Sequence, residues 1–132
     1  TTGHHGCRST GLPECRRPVA FYPGCVSALQ RADYRPTLPL LILQGGADDW
    51  TPAAPCVALG QKLKAGGLPV HTVVYPDALH GFDLSAGQSL YLPDVYNPGA
   101  PGGRGAHVGG QPKARLAAIE EVRTFLRRTL AP

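Results

Sequence analysis

From Leu38 to Leu43 the chain reads Leu-Pro-Leu-Leu-Ile-Leu, apolar at every position, and then breaks into Gln44-Gly45-Gly46. A strand with one face in water alternates apolar and polar residues. An unbroken apolar run needs cover on both faces, as a strand has inside a parallel sheet layered between helices. The run is far too short to cross a bilayer, which takes roughly 20 residues. The expectation is a soluble chain with no membrane partner.

The flanking segments fit the same architecture. Val19-Ala20-Phe21-Tyr22 is a short β-prone run stopped by Pro23-Gly24, and Val70 to Tyr75 is a third strand closed by Pro76. Between the second and third strands lies a helix signal. Thr51 is the candidate N-cap, prolines stand at 52 and 55, Val57, Leu59 and Leu63 form the apolar positions, and Gly66-Gly67 is the stop. Residues 113–130 place Leu116, Ile119, Val122, Leu126 and Leu130 at spacings of three and four, the pattern of an amphipathic helix. The order strand, strand, helix, strand, helix predicts an α/β class with a mostly parallel sheet flanked by helices. The 17 glycines and 14 prolines call for many loops, and residues 84–112, rich in both, read as a long surface excursion. Residues 1–17 offer almost nothing to bury and are expected to be poorly ordered, which leaves 18–132 as the folded part.

The formal charge is +4, but Arg8, Arg16 and Arg17 near the start and Lys113, Arg115, Arg123, Arg127 and Arg128 near the end are scattered. The aromatic residues lie mostly elsewhere. A nucleic-acid surface concentrates the two together, so nucleic acid is not an expected partner. His4, His5, Cys7 and Cys15 match no standard zinc-ligand spacing, and neither a metal nor another cofactor is expected. Cys25 and Cys56 each lie just beyond one of two strands that should be neighbours. They are candidates for a disulfide, which would suggest an oxidising compartment; the alternative is two ordinary buried thiols.

Catalytic groups in a parallel sheet collect in the loops leaving the carboxyl ends of the strands. Two such loops stand out, Gly45-Gly46-Ala47-Asp48-Asp49-Trp50-Thr51-Pro52 and Tyr75-Pro76-Asp77-Ala78-Leu79-His80-Gly81-Phe82-Asp83. An Asp beyond one strand and a His beyond the next can meet side by side. The carboxylate would then fix the imidazole tautomer and stabilise imidazolium as the ring takes a proton from a nucleophile. An Asp before a helix is as readily a cap or a partner of the helix dipole, a role that suits Asp49. Trp50 and Phe82 flank the pair and are candidates for the apolar wall of an acyl pocket; ordinary packing explains them equally well. His71 and His107 have no sequence neighbour that makes them chemical.

The segments VAFYPGC, LPLLILQGGADDWTP and VVYPDALHGFD resemble the C-terminal part of the dienelactone hydrolase family, within the α/β-hydrolase fold, over roughly residues 18–130. The resemblance rests on G-x-x-D-x-x-x-P followed about thirty residues later by H-G-F. It implies hydrolysis of a small-molecule carboxylic ester or lactone through a Cys/Ser-His-Asp triad, with a backbone oxyanion hole and no metal. Asp48, four residues before Pro52, would be the triad acid and His80 the base. The family's nucleophile stands on an elbow, G-x-C-x-G or G-x-S-x-G, ahead of the strand that VAFYP resembles. Cys7, Ser9 and Cys25 do not occupy such an elbow. The expectation is a hydrolase fragment, inactive alone; the alternative is a non-catalytic binding module or remnant of the same fold. Half of an open sheet leaves a strand edge unpaired, so self-association through that edge is also expected.

Overall fold

The computed structural model describes residues 18–130; residues 1–17, with His4, His5, Cys7 and Cys15, lie outside the described part. Three parallel strands form the sheet: β1 (Val19–Phe21), β2 (Leu40–Gly45) and β3 (Val70–Tyr75), in the order β1-β2-β3. Val19 pairs with Leu41 and Phe21 with Leu43, while Leu40 pairs with Val70 and Gly45 with Tyr75. The central strand is buried at all six positions. Its side chains divide by the period of two. Leu40 and Ile42 face a core with Cys25, Ala28, Cys56, Leu59, Leu63 and Val70, supplied largely by α1 (Val26–Gln30) and α2 (Ala53–Ala65). Leu41 and Leu43 face the opposite core with Ala78, Phe82, Ala114, Ala118 and Phe125, covered by α3 (Pro112–Leu130). The result is a helix–sheet–helix stack, consistent with a partial α/β-hydrolase fold.

Three details depart from the sequence reading. The first is Thr51, which does not cap α2: the cap position is Pro52 and carries no side-chain hydrogen bond. The Thr51 hydroxyl is turned instead into the loop before the helix, for reasons given below. Second, only the middle of the predicted stripe on α3 serves the core, where Val122 and Leu126 pack. Ala114, Ala118 and Phe125 are buried, while Leu116 and Leu130 are exposed. Third, residues 84–112 are not a structureless excursion. They hold an antiparallel hairpin, β4 (Ser89–Tyr96) and β5 (Arg104–Gly109), separate from the main sheet. Leu90, Tyr91 and Tyr96 are exposed, so β4 has no buried face to impose alternation on the sequence, and the buried positions of β5 are only Gly105, Ala106 and Gly109. Pro93 adds a further break: it cannot donate to the ladder, and the register is irregular between Leu92 and Tyr96.

Candidate active site

Because β1, β2 and β3 run in the same direction, their carboxyl ends share one rim, and the loops leaving them bring Tyr22, Asp48 and His80 together. Glycine allows the last two loops to touch. A Cβ at Gly45 would meet the backbone oxygen of Ala78, and one at Gly46 would lie 2.6 Å from the carbonyl oxygen of Pro76. The close backbones are joined by hydrogen bonds from Gly46 N to Tyr75 O (2.7 Å) and from Ala47 N to Ala78 O (3.0 Å). Gly81, at φ 78°, takes the left-handed turn directly after His80 that a side chain would oppose.

His80 Nδ1 lies 3.0 Å from Asp48 Oδ2. The Asp48 side chain is fully buried and that of His80 is 18% exposed. A carboxylate oxygen only accepts, so this contact assigns the proton to Nδ1 and leaves Nε2 as the basic nitrogen. The other carboxylate oxygen, Oδ1, accepts from the backbone N–H groups of Trp50 (2.9 Å) and Thr51 (2.8 Å). The carboxylate is thus held by the loop it belongs to, independently of the histidine. Thr51 bolts the three loops together: its hydroxyl oxygen is 3.0 Å from Asp48 Oδ2, 3.0 Å from His80 Nδ1 and 2.9 Å from the carbonyl oxygen of Tyr22. Its single proton serves Tyr22 or Asp48 at any moment, and its lone pairs remain open to the imidazole N–H.

The imidazole has aromatic neighbours, with centroids 4.3 Å from Tyr22 and 4.8 Å from Trp50. Tyr22 directly follows β1 with a positive φ of 37°, a strained conformation for a bulky residue. Its hydroxyl donates to Asp83 Oδ1 at 3.0 Å. Burial first, then that hydrogen bond and the charges of Asp83 and Asp48, push the phenol pKa up to about 12, so it stays a neutral donor. Phe82 is completely buried, in ring contact with Phe21, Tyr22 and Tyr75; the structure gives it a packing role, because no surface of it is open to a ligand. Trp50 is half-buried and is the aromatic of the two that borders the imidazole. Cys25 and Cys56 are bonded to one another, their Cα atoms 5.0 Å apart, and tie the β1 exit to the first turn of α2.

A second Asp–His pair lies next to the first. Asp49 Oδ2 is 2.7 Å from His107 Nδ1, and its Oδ1 accepts from the His107 backbone N–H at 2.9 Å. Burial raises the Asp49 pKa, but the two hydrogen bonds and the charge of His107 outweigh it and hold the carboxyl below its usual range. Asp49 therefore anchors the β4–β5 hairpin and is not a helix cap. His71 meets Glu121 of α3 at 2.9 Å, on the flank of the sheet. A cavity of about 340 Å³ between α2 and β3, lined by Gly60, Lys64, His71 and Thr72 among others, includes none of the residues around His80. Sequence reasoning missed Tyr22, Thr51 and the hairpin. The strand-exit argument that selected Asp48 would have selected Tyr22 as well. Contacts between the hairpin and the acid loop span 46 to 58 positions and leave no local signal.

Comparison with known proteins adds the family. The model of the dienelactone hydrolase family matches residues 7–128 of the chain. Searches of curated proteins and of solved structures find no match.

Proposed function

The chain belongs to the dienelactone hydrolase family, a family of hydrolases, and we propose that its reaction is hydrolysis of a small carboxylic ester or lactone, with His80 as general base and acid and Asp48 as its orienting carboxylate. One observation carries this reading: a fully buried carboxylate 3.0 Å from the Nδ1 of a histidine that retains some exposure. Burying a charge that far is costly unless it is fully hydrogen-bonded, and here the bonds also fix the ring so that Nε2 is the atom that exchanges protons.

In this reading a nucleophilic hydroxyl or thiol loses its proton to Nε2 as its oxygen or sulfur attacks the ester carbonyl carbon. The tetrahedral oxyanion collapses, the alkoxide leaves, and Nε2 returns the proton to it. Water then attacks the acyl intermediate by the same exchange in reverse, freeing the acid and the nucleophile. Asp48 stays ionised throughout and stabilises imidazolium. The 132 residues carry no G-x-C-x-G or G-x-S-x-G elbow, so the nucleophile of this reading lies outside them, and they do not turn over alone. Trp50 would form the apolar wall beside the base. The test is hydrolysis of p-nitrophenyl acetate by the protein that includes the nucleophile segment, with and without His80→Ala. Equal turnover in the two would reject the assignment, and no turnover above background in either would favour a non-catalytic module.

Self-association belongs to the same reading. Among the described residues β1 pairs only with β2, and its open edge offers unpaired backbone groups to a second copy. Sedimentation should show a mass that rises with concentration; a monomer at all concentrations would remove this part.

A further inference from the structure

The β4–β5 hairpin is attached to both loops of the site. On the histidine side, Gly109 N donates to the His80 carbonyl oxygen at 3.0 Å and Val108 bridges to His80. On the acid side the join is built around Asn97, which is almost fully buried. Its amide nitrogen has two protons, and both are used: one reaches the backbone oxygen of Asp49 at 2.9 Å, the other that of Gly105 in β5 at 2.8 Å. Its Oδ1 accepts from Gly99 N at 3.2 Å. Asp49 returns the contact through both carboxylate oxygens to His107 of β5. Between these anchors the Trp50 indole N–H donates to the carbonyl oxygen of Tyr96 at 3.0 Å. An indole has a single donor, so that bond, with the ring contact to His80, sets the plane and reach of the side chain.

We propose that Asn97 and Asp49 are positioning residues that seat the β4–β5 hairpin on the acid loop, so that the Tyr96 carbonyl holds Trp50 beside His80 as a wall for an apolar acyl chain. The hairpin then selects the acyl group of the ester. This rests on the ester-hydrolase reading for the meaning of the acyl group, but the arrangement itself can be read without turnover. A longer aliphatic chain would gain more contact with the indole than a short one, so the site prefers the longer chain.

Trp50 is the only tryptophan in the sequence, so its fluorescence reports this place alone. Asn97→Asp keeps the shape but turns an oxygen toward two carbonyls, and Asp49→Ala removes both bonds to His107. In each variant, with the far-ultraviolet circular dichroism of the parent retained, acrylamide should quench Trp50 at least twofold faster. Should Asn97→Asp fail to fold, Asp49→Ala decides. Titration of the parent with uncharged, non-hydrolysable amides, followed by the same emission, should half-saturate at a concentration at least tenfold lower for N-methylhexanamide than for N-methylacetamide. In the folded variants that ratio should fall below threefold. Parent-like quenching in the folded variants, or no preference between the amides in the parent, overturns the proposal. Failure of ester hydrolysis would appear in the turnover assay and leave these two measurements standing, so the two ideas fail separately.

Discussion

Asp48 and Asp49 are adjacent in sequence, each faces a histidine, and the shorter contact is the less consequential one. Asp49 and His107 approach to 2.7 Å with side chains 46% and 48% exposed, whereas Asp48 and His80 stand 3.0 Å apart at 0% and 18%. Water screens the exposed pair and competes for every hydrogen bond it makes. Water has no access to the buried Asp48 carboxylate, which is also held by the N–H groups of Trp50 and Thr51. Burial and the number of additional donors, rather than separation, divide a pair that can orient a base from one that fastens a hairpin.

The largest effect that tests this contrast is catalytic. In the protein complete with its nucleophile, His80→Ala should lower kcat/KM on p-nitrophenyl acetate by ~10⁴ or more, while His107→Ala should leave it within a few-fold. Comparable losses in the two would erase the distinction. Stability comes next. Asp48→Ala strands two backbone N–H groups beneath the rim and should cost about 2–4 kcal/mol in urea unfolding, against less than ~1 kcal/mol for Asp49→Ala. The smallest effect is in pH. The Asp49 carboxyl sits below its ordinary range, so it binds its proton less readily folded than unfolded. Its contribution is present above the unfolded value of about 4 and fades as pH drops through the lower folded one. Parent and Asp49→Asn should therefore differ slightly at pH 5 and converge toward pH 2.5, with added salt narrowing the gap. A gap that widens on acidification would contradict the assigned sign.

Much of the sheet was legible because its strands carry their environment in their sequence. The unbroken run before Gln44 gives β2 away, and Val70 to Tyr75 is bounded as expected. The meeting of Asp48 and His80 follows from the same logic, since neighbouring parallel strands must release their loops on one side. What could not be read depends on long-range company. Thr51 has the chemistry of a cap, yet its hydroxyl is drawn to Tyr22, Asp48 and His80, groups that only folding brings near it. Ala114 and Ala118 are core residues while Leu116 is exposed, because the neighbours that cover one flank of α3 come from distant parts of the chain and leave no mark on the helical pattern. Asn97 sits in an Asn-Pro-Gly turn signal, and nothing local distinguishes it from a residue facing solvent.

The bond between Cys25 and Cys56 closes a ring across 31 positions, and that ring contains all of β2 together with Asp48 and Asp49. A protease that nicks the chain anywhere from Val26 to Pro55 would therefore release nothing. Both new ends stay tethered, the molecule gains only the mass of one water, and two separate fragments emerge only when a reductant opens the loop.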